Sequence, residues 1–438
     1  MRVLVLGAGM VGSVAAADLA ATPGFEVTVA DAGKESLARA LRRSGGRVRT
    51  LQADAGSAKK AAALVARTKA EIVLGALPSR FGFDVMRGVI GTGRPYVDIS
   101  FMPEDFREHD AIARRAGVPA VADCGVAPGM SNLLAGWAAR TLDRCDAIEI
   151  LVGGLPRERH WPWQYKAPFS HHDVIEEYVR PSRVVEGGKV VVKDALSEPE
   201  LVTIPGLGTL EAFYTDGLRS LADTLKVPTM REKTMRWPGH AELMRTLRHL
   251  GLFSHEPVQV GDARVRPIDL TAKLLFPHWT YEEGESDVTV MTVRAWGMRG
   301  GREVRLAWTL HDELDPSTGF PSMSRTTAFP ATSVLRLIAA GRIRKPGVHA
   351  PEMLASMPGI VDAVLADQRA RGVKYVPWME EGAKAAKGAK PAAAKSPKAK
   401  SPKAKSPKAK SAPRAKAKPA RKAAARTTSS RPAPRGRR

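Results

Sequence analysis

The sequence predicts an α/β protein: a doubly wound parallel sheet, a second mixed α/β domain, and a disordered basic C-terminal tail. Three observations carry this expectation. A strand, a glycine turn and a helix open the chain; strands and helices alternate regularly to about residue 129; alternating apolar segments take over afterwards. The expected segments are 1–129 for a dinucleotide-binding domain and 130–330 for a substrate and oligomerisation domain. Helices returning to the first domain are expected over 331–382, and the tail over 383–438.

The opening unit is the most specific. Arg2–Leu6 is a short apolar run, and Gly7-Ala8-Gly9-Met10-Val11-Gly12 follows it directly, before a helical stretch from Val14 to Ala21. G-x-G-x-x-G between a strand and a helix is the Rossmann fingerprint for a dinucleotide. Gly7 permits the tight turn, Gly9 admits a pyrophosphate, and Gly12 lets helix and strand pack; the helix amides, with Met10 and Val11, face the phosphates. A second run, Phe25–Ala30, ends at Asp31. An acid there can bond the ribose hydroxyls and repel a 2′-phosphate, so NAD is expected over NADP.

Further along, Lys34–Arg43 reads as a helix and Val48–Ala53 as a third strand, with Asp54 placed to meet the adenine edge. Ala58–Thr68 is a helix and Glu71–Ala76 a fourth strand. Ala76, Leu77, Pro78 and Ser79 then fall at the carboxyl end of a strand, where such sheets present their ligand crevice. Pro95–Ser100 and Val118–Asp123 complete six strands. After Gly125–Met130 come a helix over Ser131–Leu142 and a strand over Ala147–Gly153. Lys189–Val192, Val288–Val293 and Arg302–Leu310 alternate as strands, and helices are expected at His171–Val179, His240–Leu250, Thr332–Gly341 and Ile360–Arg371.

Net charge of +23 is localised. From Ala383 onward there are 13 Lys and 7 Arg and no acid, which leaves 48 basic against 45 acidic residues in the body. Ser396-Pro397-Lys398-Ala399-Lys400 repeats at Ser401 and Ser406. Such a segment buries too little apolar surface to fold, and its cations suit nonspecific binding to nucleic-acid phosphates. Its composition resembles the C-terminal arm of histone H1-like proteins. Cys124 and Cys145 form no disulfide framework and show no metal-ligand spacing, so no metal is expected. With no apolar run near the ~18 residues of a membrane span, and a strand at residue 2 in place of a signal peptide, the expectation is a cytoplasmic protein, nucleoid-associated through the tail.

The body, from Met1 to about Trp378, resembles the saccharopine reductase and lysine 6-dehydrogenase family. VLVLGAG, ADCGVAPGM, GGLP, LEAFYTDG, KTMRWPGHAE and SRTTAF carry the resemblance, and GVAPGM, LEAF and RWPGH bring it closest to lysine 6-dehydrogenase. It implies a homodimer or tetramer and NAD(P)-linked oxidation of a carbon–nitrogen bond. The expected reaction is oxidative deamination of the lysine ε-amine to 2-aminoadipate 6-semialdehyde. Arg236 is a fit carboxylate clamp, being planar and always charged. His240 can relay a proton or bind an anion, or simply pack; Tyr165 can orient the amine or sit buried with one hydrogen bond. By family position Ser100, Asp123 and Cys124 face substrate, although amine oxidation needs no cysteine nucleophile. His171-His172-Asp173 reads as a solvated helix start. The rivals are a saccharopine reductase and a non-catalytic dinucleotide sensor with a DNA-binding arm.

Overall fold

Why the first sheet forms is visible in its burial. Leu4, Val5 and Leu6 are completely buried, as are Val73, Leu74 and Val97, because helices cover both faces of these strands. The structure, a computed structural model, describes residues 1–282 and 284–384. Strands β1 (Arg2–Leu6), β2 (Glu26–Asp31), β3 (Arg49–Gln52), β4 (Ile72–Gly75), β5 (Tyr96–Asp98) and β6 (Pro119–Val121) run parallel in the order β3-β2-β1-β4-β5-β6. Helices α1 (Met10–Ala20), α2 (Lys34–Arg43), α3 (Ala58–Thr68), α4 (Ser79–Ile90) and α5 (Asp110–Ala116) make the crossovers. That order is the doubly wound dinucleotide topology, and its switch point lies between β1 and β4.

A seventh strand, Gly347–His349, joins β6 in parallel and was not anticipated. Three residues, the first a glycine, set between Pro346 and Pro351 carry too little pattern to read as a strand. Helix α1 begins at Met10, not at Val14, with Gly9 as its N-cap, so the glycine turn runs straight into the helix.

After α6 (Met130–Thr141) comes the long strand β7 (Arg144–Pro156), the axis of a second sheet. Strand β7 pairs parallel with Thr229–Arg236 and antiparallel with Asp287–Arg299. Gly208–Tyr214 and Glu200–Ile204 extend one side; Arg302–Glu313 and Tyr375–Lys384 extend the other. Among the described residues this sheet has nine strands against seven in the first. Segment 331–382 therefore supplies a strand to each sheet as well as helix. The basic tail expected from Ala383 shares its first two residues with the last strand, and from 385 it lies outside the described residues.

The late helix is longer than expected, Ser322–Ala339, and carries Pro330 inside it. An interior proline normally ends a helix. Here Met323, Phe329, Val334 and Leu335 are buried against the core that includes α1, and this burial outweighs the lost hydrogen bond. Thr332 Oγ1 donates to Asp18 Oδ2 at 2.6 Å, and Arg336 and Arg371 reach the same buried carboxylate at 2.8 and 2.5 Å. No helix among the described residues is long and apolar enough to cross a membrane.

Candidate functional site

A cleft of about 410 Å3 runs from the glycine turn, across the carboxyl ends of β4, β5 and β6, to the second sheet. Gly7, Gly9, Met10, Val11, Gly12, Asp31, Ala76, Leu77 and Pro78 line its first part, together with Arg39 of α2. The turn is built for close approach. Gly7 has φ +98°, and a Cβ there would lie 2.3 Å from Ala76 O; a Cβ on Gly12 would lie 2.2 Å from Gly7 O. Nothing stands within 4 Å of a Cβ on Gly9, so a diphosphate has room above it, facing the unpaired first-turn amides of α1. These residues fit a dinucleotide.

Asp31 does other work than expected. Its Oδ2 accepts from Ala8 N at 2.7 Å and its Oδ1 from Gly33 N at 2.7 Å. The carboxylate shapes the turn, and the nearby cation on the cleft wall is Arg39.

On the opposite wall stand Gly153 and Gly154 of β7, Asp173 and Glu177, Thr215 and Gly217, and Glu232, Thr234 and Arg236. Helix α7 (His171–Val179) buries Val174, Ile175 and Tyr178, which leaves Asp173 and Glu177, one turn apart, on the cleft side. Asp173 is thus part of the wall and not a solvated helix start. Glu232, Thr234 and Arg236 share a face of the Thr229–Arg236 strand through its two-residue period. On the other face Arg231 bonds Glu149, and Lys233 meets Glu200 at 2.9 Å.

Each cleft acid has its own setting. Glu177 Oε2 pairs with Arg236 Nη2 at 3.0 Å, and burial lifts its carboxyl above the usual range, against the pull of Arg236. Asp123, in a left-handed backbone conformation at φ +52°, accepts from Arg219 Nε at 2.9 Å. Asp173 Oδ1 accepts from Ser79 Oγ at 2.6 Å. Glu232 Oε2 accepts from Thr215 Oγ1 at 2.9 Å and Gly217 N at 3.1 Å, and burial pushes its carboxyl up to about 8. Ser100, also on the wall, donates through its amide to Asp98 at 2.7 Å; burial lifts Asp98 to about 7.

Five expected site residues do not line this cleft. Tyr165 lies under Arg236, whose guanidinium sits 4.8 Å above its ring, and packs edge-on against Trp279. His240 is enclosed: Nε2 lies 2.9 Å from Tyr178 OH and Nδ1 3.4 Å from Trp163 O. Burial first, then Arg236, lowers its pKa to about 3, so the imidazole is neutral. Asp54 faces outward and pairs with Lys60 at 2.5 Å. Cys124 is buried, its thiol pushed upward by burial, and Ser79 reaches the wall only through Asp173. Among the described residues no cluster of His, Cys, Asp and Glu is arranged to hold a metal ion.

The two parts of the chain match two domain models in turn. Residues 3–121 match the saccharopine dehydrogenase NADP binding domain, and residues 125–373 match the saccharopine dehydrogenase C-terminal domain. The chain belongs to the saccharopine dehydrogenase family. One relative is the saccharopine dehydrogenase [NADP(+), L-glutamate-forming] of Saccharomyces cerevisiae, 21% identical over 80% of this chain and 93% of that protein. Another is the bovine mitochondrial alpha-aminoadipic semialdehyde synthase, 20% identical over 85% of this chain. The aligned part spans only 47% of the bovine protein. In structure, the apo yeast saccharopine dehydrogenase (L-Glu forming) superposes with a TM-score of 0.70 at 19% identity, over 86% of this chain and 99% of that one. This likeness shows the shared fold.

The family corrects the expected cofactor preference. The matching domain is an NADP-binding one, and the yeast relative is NADP(+)-dependent by name, against the expectation of NAD over NADP. The physical reason lies in Asp31. An acid at the end of β2 repels a 2′-phosphate only where its charge faces the ribose; here both oxygens are engaged by backbone amides and Arg39 stands by.

Proposed function

We propose that this family member is an NADP-linked dehydrogenase that oxidises the carbon–nitrogen bond of a lysine-type amino acid. The observation that carries the reading is the acidic wall opposite the glycine turn: Asp173, Glu177 and Glu232, with Arg236 beside them. Such a wall attracts an ammonium or iminium nitrogen, while Arg236 offers a planar cation for the single α-carboxylate. When bound, the dinucleotide accepts the hydride. The chain's own residues orient the amine against the sheet edge and supply the proton acceptor that amine oxidation requires.

Saccharopine is the second reading, favoured by the names of the relatives. Its extra carboxylates need further cations, and among the described residues lining the cleft the other cation besides Arg236 is Arg39, at the glycine turn. The test is reduction of NADP+ by the full chain at alkaline pH, with lysine, saccharopine and shorter diamino acids offered in parallel. Turnover with lysine supports the first reading, and turnover with saccharopine alone moves belief to the second. No turnover on any of them, with NADPH still bound, sinks both.

We propose separately that the Ser-Pro-Lys-Ala-Lys repeats bind nucleic acid through its phosphates, on the strength of their evenly spaced cations. Retention of duplex DNA by the full chain should weaken steeply with salt and fall when repeat lysines become glutamine. Salt-insensitive retention would refute it.

A further inference from the structure

Amine oxidation needs an unprotonated nitrogen, and the acids on the cleft wall differ in their freedom to take that proton. Glu177 is tied to Arg236 and Asp123 to Arg219, while Asp173, which accepts from the Ser79 hydroxyl, is partly exposed to water. Glu232 is held by neutral donors only, and both act on Oε2. Its Oε1 has no hydrogen-bond partner among the described residues, although the residue is 2% exposed. Gly217 lets this happen: a Cβ there would lie 2.3 Å from Glu232 Cδ, so glycine alone admits the carboxyl beside the loop amide. Thr215 Oγ1, 2.8 Å from Thr234 Oγ1, completes a neutral cradle around one oxygen and leaves the other for the cleft.

Resting on the proposed amine dehydrogenation, we infer that Glu232 is the catalytic residue that removes the proton from the substrate ammonium. The O–H bond forms at Oε1, the ammonium N–H bond breaks, and its electron pair stays on nitrogen. The groups that face Glu232 support this role. Glu177 from α7 and Asp216 from the loop add negative charge, Thr215 and Gly217 donate, and Arg236 pairs through Nη2 with Glu177. Burial is the largest influence, and with these acids it sets the carboxyl at about 8, within range of an amine brought into the same cleft.

The full-length chain with Glu232→Gln tests this, because the amide keeps the shape and can still accept from Thr215 and Gly217. The expected result is a fall in kcat of about 100- to 10 000-fold. KM and NADPH binding should stay within about twofold, and the rising limb of kcat/KM near pH 8 should vanish. Glu232→Asp should restore part of kcat with a displaced limb. Wild-type kcat and limb in Glu232→Gln would overturn the assignment. A second measurement does not depend on turnover. In the NADPH complex without substrate, a protonated-carboxyl infrared band should be lost from the wild type as pH rises through about 8, and Glu232→Gln should lack that change. Should every amine prove inert, the dehydrogenase reading falls, and this band alone decides Glu232: a band lost near pH 8 that Glu232→Gln lacks supports a carboxyl free to take a proton, and the lack of any such difference refutes it.

Discussion

Arg219 Nε donates to Asp123 Oδ2 at 2.9 Å across the back of the cleft, and its Nη2 donates to Met102 O at 2.6 Å. Arg219 follows the Tyr214–Gly217 loop of the second sheet, whereas Asp123 ends the β6 region of the first. The side chains are 6% and 0% exposed, so this ion pair clamps the two walls together in a dry place.

Removing one partner leaves a buried charge. Asp123→Asn tolerates the left-handed backbone, which isolates the electrostatic effect. It should cost about 3–5 kcal/mol in urea unfolding. An unchanged midpoint in Asp123→Asn would show that the pair contributes nothing.

Gly12→Ala forces a methyl group to within 2.2 Å of Gly7 O, which neither the turn nor α1 can absorb without moving. NADPH binding, followed by fluorescence quenching, should weaken at least about tenfold, together with a stability loss of roughly 1–3 kcal/mol.

Arg39→Ala separates phosphate recognition from the rest of the dinucleotide. A charge-assisted contact of this type contributes about 1.5–3 kcal/mol, so NADPH affinity should fall roughly 10- to 100-fold. NADH binding should hardly change. Equal losses for both would place Arg39 away from the 2′-phosphate.

Two buried groups make opposite contributions to stability against pH. His240 is lowered from 6.5 to about 3, so between these values the unfolded chain binds the extra proton and stability falls as pH falls. Glu232 is raised from 4.5 to about 8; there the native state holds the extra proton, and stability declines as pH rises through that window. Glu232→Gln should therefore flatten the denaturation midpoint between about pH 5 and 8 while keeping the acid limb. A slope equal to wild type would exclude a raised Glu232.

Much of the fold was legible because its signals are local. An apolar run, a glycine turn and a helix specify β1 and α1 through neighbouring residues alone, and the alternation that follows specifies a parallel sheet. The short strand Gly347–His349 and the proline-containing helix Ser322–Ala339 were not legible, because each is stabilised by partners distant in sequence. The wall acids were missed for the same reason. Glu232, Thr234 and Arg236 alternate along one strand, and Asp173 and Glu177 lie one helical turn apart, yet either pattern also describes a solvated face.

The sequence by itself determined a glycine turn that fits a dinucleotide, since strand, turn and helix are contiguous and their geometry is short-range. Only the tertiary structure decided which charges face that site. Parallel pairing of Thr229–Arg236 with β7 turns Glu232 inward, α7 packs Asp173 and Glu177 beside it, and the backbone amides of Ala8 and Gly33 engage Asp31. Electrostatic roles depend on burial and on partners across the fold, and neither is encoded in spacing along the chain.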